Sequence, residues 1–83
     1  MYVITKRLTD RKVLLRNTLG ESLVASYSDA FERPEVLIFK SDTEGTITDW
    51  IEVCGEKHMS DTPVFEAIIE TIDTFNNGTL TAY

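Results

Sequence analysis

The chain is short of nearly everything that marks a known chemistry. It has one cysteine, one histidine, two prolines and four glycines among 83 residues. A lone thiol, Cys54, forms no internal disulfide, which fits a reducing compartment. With only Cys54 and His58 as sulfur or imidazole ligands, the four-ligand Cys/His set of a structural zinc site is excluded. Gly20, Gly45, Gly55 and Gly78 are scattered, so no glycine-rich phosphate loop exists. No apolar stretch approaches the roughly 20 residues that span a bilayer. Residues 1–7 lack the apolar run of a secretory signal. A cytoplasmic protein with no membrane association is therefore expected, and the sequon Asn77-Gly78-Thr79 should stay unmodified. No motif implies a cofactor or a metal.

What is present suits a small packed domain. The hydrophobic fraction is 42%, with Trp50, four phenylalanines and three tyrosines, which argues against disorder. The length allows one domain with a modest core, and a deep catalytic pocket is not expected. The net charge is −6, unevenly spread. Residues 1–20 carry Lys6, Arg7, Arg11, Lys12 and Arg16 against Asp10, a net of +4. Residues 21–83 carry Arg33, Lys40 and Lys57 against 13 carboxylates, a net of −10. Such asymmetry serves either a charged interaction surface or attraction between the two halves of the fold.

The pattern predicts strands over residues 2–8, 12–17, 22–27, 35–40 and 46–54, with turns at 9–11, at 18–21 around Gly20 and at 41–45 around Gly45. Residues 28–34 form a connection ending at Pro34, and residues 55–61 read as a polar loop. A helix follows, with Thr62 as N-cap and Pro63 at the first helical position. Phe65, Ile68, Ile69, Ile72 and Phe75 fall on one stripe expected to face a sheet, and Gly78 ends the helix. The tail, residues 79–83, could add an edge strand. The expected fold is α+β: an antiparallel meander of five strands, or six, with one C-terminal amphipathic helix on one face, in the order βββββα.

Several strands are apolar on both faces. Val36 and Ile38 oppose Leu37 and Phe39, Val13 and Leu15 oppose Leu14, and Leu23 opposes Val24. Trp50 opposes Ile47, Ile51 and Val53. One helix covers only one face. The second is covered by curling of the sheet or by residues 28–34, by a second copy, or by another macromolecule.

Candidate chemistry is sparse. Cys54 and His58, with Asp49 or Glu52, suggest a metal site or a thiol–imidazole pair, but nothing fixes the geometry such a site needs. The plainer reading is a semi-buried thiol at a strand end and a solvated loop histidine. Asp49 and Glu52 point to opposite faces of a strand, and Glu66 and Glu70 are neighbours on a hydrophilic helix face.

The expected function is non-enzymatic. Trp50 reads either as a core tryptophan or as an interface anchor on the uncovered face. In the second case it forms a protein-binding surface with Phe39 and the carboxylates of Glu52, Glu66, Glu70 and Asp73. A small acidic protein of this kind fits an accessory product, such as that of a phage or mobile element, that binds a host protein and inhibits it by steric or electrostatic occlusion. A second reading is a nucleic-acid-binding module. Lys6, Arg7, Arg11, Lys12 and Arg16 would neutralise phosphates and Tyr2 would stack on a base, against the repulsion of the acidic remainder. A third is a homodimer with a shared pocket for a small ligand or a reaction.

Overall fold

The computed structural model describes residues 1–30 and 32–78. Five strands, β1 (Val3–Arg7), β2 (Lys12–Arg16), β3 (Ser22–Ser28), β4 (Glu35–Ser41) and β5 (Ile47–Lys57), precede one helix, α1 (Val64–Asn76). They pair as a single antiparallel sheet in the order β1-β2-β3-β4-β5, the expected meander. A sixth strand over residues 79–83 lies outside the described residues.

Short polar side chains shape the turns. In the β2–β3 turn, Asn17 Oδ1 accepts the N–H groups of Leu19 and Glu21. In the β4–β5 turn, Asp42 Oδ1 accepts those of Thr46 and Glu44. These bonds hold the Asp42 carboxyl below the usual carboxylate range.

The first face of the sheet carries the main core. Val13, Leu15, Leu23, Ala25, Val36, Ile38 and Cys54 alternate onto it and pack against Ala67, Ile68 and Ile72 of α1. The helix is rotated from the expected stripe. Its buried residues are Ala67, Ile68, Thr71 and Ile72, while Phe65 and Ile69 are 38% and 39% exposed. Ala67 and Thr71 are small enough to bring the helix close to β3 and β4, and Thr71 satisfies its hydroxyl by donating to the Ala67 carbonyl. The helix also begins at Val64 rather than at Pro63. Pro63, with φ −57° and ψ 146°, occupies the capping position, and no side chain caps the helix. At the other end, Asn76 clamps the helix to the N-terminus: its side chain donates to the Tyr2 carbonyl and accepts the Tyr2 N–H, each at 2.8 Å.

β5 is longer than its sequence pattern predicts. Gly55, Glu56 and Lys57, expected in a loop, pair with Leu37, Val36 and Glu35. Between the pairs Ile38↔Cys54 and Lys40↔Asp49, β5 uses extra residues, a bulge that bends the strand.

The second face is covered by the chain itself. Leu14, Val24 and Phe39 stand in register across β2, β3 and β4 on the side away from the helix, and all three are buried. The β4–β5 turn folds toward this face. Arg16 donates to the Thr43 carbonyl, and Gly45 sits against Leu8 at the end of β1. Curling of the sheet is thus the cover, and its contact point is a glycine.

That contact is testable. Gly45 has φ +95°, and a Cβ there would lie 2.8 Å from both Leu8 Cδ atoms. Gly20 has a similar φ of +82° with nothing within 4 Å. Gly20→Ala should cost about 1–2 kcal/mol, the left-handed backbone penalty alone. Gly45→Ala should cost about 1 kcal/mol more, because Leu8 must also move. Denaturant melts of both variants check this, and equal losses would show that the turn does not press on Leu8.

Candidate functional site

Trp50 is not a core residue. It stands at the β5 bulge on the second face, with its ring 5.5 Å from that of Phe39 at an interplanar angle of 58°. The Lys12 ammonium lies 5.8 Å from the indole centroid. Trp50 is nevertheless 68% exposed, and its neighbour Ile51 is 73% exposed. Phe39 is buried and forms the floor on which the indole rests. The side chain of Asp49 accepts the Ile51 N–H at 3.0 Å, which fixes the backbone beside the indole.

The five basic residues of the first hairpin divide between the two faces. Lys6 pairs with Leu14 and so shares its face, as do Lys12 and Arg16, two residues to either side of Leu14. This is the Trp50 face. Arg7 pairs with Val13 on the helix side, and its guanidinium lies 4.4 Å from the Phe65 ring centroid. Arg11 forms an ion pair with Asp29 at 3.0 Å, which lowers the Asp29 carboxyl and raises the guanidinium.

The candidate carboxylates divide too. Glu52 follows Trp50 on β5. Glu66, Glu70 and Asp73 stand on α1, which packs against the opposite side of the sheet. The structure therefore brings Trp50, Phe39 and Lys12 together, with Lys6 and Arg16 on the same face of the sheet, and does not join them to the helical carboxylates.

Both residues of the Cys54–His58 pair are more buried than their sequence context suggests. Cys54 lies in the core against α1, and burial pushes its thiol up, so it is a poor nucleophile. His58 is only 5% exposed. Its backbone N–H donates to the Pro34 carbonyl at 2.8 Å. Its Nε2 lies 2.7 Å from Thr71 Oγ1 and 3.5 Å from Glu56 Oε1, and its Nδ1 lies 3.4 Å from Glu70 Oε2. The cluster around His58 is Glu56, Glu70 and Thr71, not Cys54, Asp49 or Glu52. Two of its three members were hidden in the sequence: Glu56 because it reads as loop, and Thr71 because a polar residue breaks the apolar stripe without naming a partner. The available signal was Thr71 itself, one helical turn from Ala67 and beside Ile72 on the buried side.

A broad groove of about 590 Å³ runs past the sheet end that carries the β2–β3 and β4–β5 turns, lined in part by Tyr2, Leu23, Lys40, Thr48, Val53 and Phe75. It holds neither Cys54 nor His58. Among the described residues, no helix is long and apolar enough to cross a membrane. No protein family, curated protein or solved structure matches this chain.

Proposed function

We propose that this protein is a non-enzymatic binding protein that docks on a partner protein through Trp50 and acts by covering the partner's surface. The observation that carries this reading is the exposed indole held in place. Trp50 rests on Phe39 and is flanked by Lys12, so little side-chain freedom is lost when it enters a pocket. Large aromatics placed in this way are the usual anchors of protein interfaces.

The surroundings indicate the partner's chemistry. Lys6, Lys12 and Arg16 share the Trp50 face, so the complementary surface is an apolar pocket rimmed by carboxylates. The acidic residues of α1 face away and keep the free protein soluble. A host protein blocked by a phage or mobile-element product in the cytoplasm fits this arrangement, with inhibition by occlusion and no turnover.

Lys12 beside the exposed indole, with Lys6 and Arg16 on the same face, favours one second reading, a single-stranded nucleic acid stacked on Trp50. Affinity capture from lysate of the source organism, with and without nuclease, separates the two. Under the protein-binding reading a stoichiometric protein survives nuclease and is lost with Trp50→Ala. Under the nucleic-acid reading the captured set vanishes with nuclease.

A further inference from the structure

The buried histidine and its two carboxylates have no part in the Trp50 surface, and they sit where sheet meets helix. The structure assigns to Glu56, His58 and Glu70 a binding site for a divalent first-row transition-metal ion.

The hydrogen bonds orient the ring for this. Thr71 Oγ1 donates to the Ala67 carbonyl at 3.0 Å, so toward His58 it acts as an acceptor at 2.7 Å. The proton of a neutral ring is therefore on Nε2, and Nδ1 presents its lone pair to Glu70 Oε2. A metal-bound histidine is commonly held in this way, one nitrogen fixed by an outer hydrogen bond and the other left for the ion. Without a cation, a lone pair faces a carboxylate oxygen and a second carboxylate stands beside the same buried ring.

The spacing leaves room for a bridging ion. An N–H donating to a carboxylate closes to about 2.7–2.9 Å, whereas Nδ1 and Glu70 Oε2 stand 3.4 Å apart. Two ligands each about 2.1 Å from a common ion, and separated by that distance, subtend roughly 108°, the tetrahedral angle. One ligand atom from each of Glu56, His58 and Glu70 falls within 4.8 Å of the others. Glu56 Oε1, now 3.5 Å from Nε2, would have to turn toward Nδ1 to supply a third ligand, and water would complete the shell. Imidazole and carboxylate donors without a thiolate suit Zn²⁺, Co²⁺ or Ni²⁺. The Glu70 side chain is 54% exposed, which provides an entry path. The ion would tie the end of β5 and the residue after it to the middle of α1.

The test uses the full chain with any purification tag removed and Zn²⁺ as the probe. Calorimetry should show one ion per chain. At a hundredfold excess over its dissociation constant, Zn²⁺ should raise the melting temperature by about 10 °C or more. His58 is the only histidine, so its ring resonances report directly and should shift with Zn²⁺. Glu70→Gln, a change at a half-exposed helix position, should weaken binding more than 10-fold. Thr71→Val, which removes the orienting acceptor, should weaken it about 10-fold. Asp10→Asn, in the remote β1–β2 turn, should not change it. His58 resonances that respond to pH but not to Zn²⁺, or a Zn²⁺ affinity unchanged in Glu70→Gln, would overturn the assignment.

Discussion

Trp50→Ala should weaken partner binding by about 30-fold or more while leaving the domain folded. Truncating a central aromatic anchor costs about 2–4 kcal/mol of binding free energy, and each 1.4 kcal/mol is a factor of ten. The stability cost is small because the indole is mostly in water already. What is lost is the contact with the Phe39 ring, about 0.5–1.5 kcal/mol, and the Lys12 ammonium on the indole face, about 0.5–1 kcal/mol. Denaturant unfolding and an affinity measurement on the same preparation separate the two effects. A Trp50→Ala domain that melts outright would return Trp50 to the core and remove the basis for the interface.

Phe39→Ala should do the reverse, destabilising the domain severely. Phe39 is buried with Val24 and Leu14 beneath the curled β4–β5 hairpin. Emptying such a site costs about 3–5 kcal/mol. A domain of this length has about 4–12 kcal/mol in total. The melting temperature should fall by roughly 15–30 °C. Phe39→Leu, which keeps most of the volume, should cost less than half as much. Thermal melts of the two variants check whether the second face is a true second core. A Phe39→Ala variant as stable as the parent would mean that the hairpin does not seal that face. Binding through Trp50 should also weaken in Phe39→Leu, because the indole loses its aromatic floor.

The strands and their order were legible because each turn carries its own signal. Gly20 and Gly45 supply positive φ, and Asn17 and Asp42 supply the side-chain oxygens that tighten the chain. The helix was legible from its apolar spacing, but its facing was not. Hydrophobicity puts Phe65 and Ile69 on the buried stripe, whereas close packing selects the small Ala67 and Thr71. The doubly apolar strands posed the question of the second face without answering it. The answer depends on the β5 bulge and on Gly45 meeting Leu8, a contact between residues 37 positions apart that no local pattern encodes.

The candidate site was legible in part. Trp50 could be named as an anchor, but its exposure depends on the bulge. The cations near it could be counted, but only the β1–β2 register separates Lys6, Lys12 and Arg16 from Arg7. The burial of His58 was not legible at all. It arises from Pro34, Glu70 and Thr71, which approach from elsewhere in the chain.

Trp50 is the only tryptophan, so its fluorescence reports on the proposed interface without any label. The most direct measurement is its emission as the captured partner protein is titrated in. Entry of the indole into a pocket predicts a saturating blue shift that follows the binding isotherm. A bound complex in which the emission stays that of a water-exposed indole would place the interface elsewhere and contradict the proposed function.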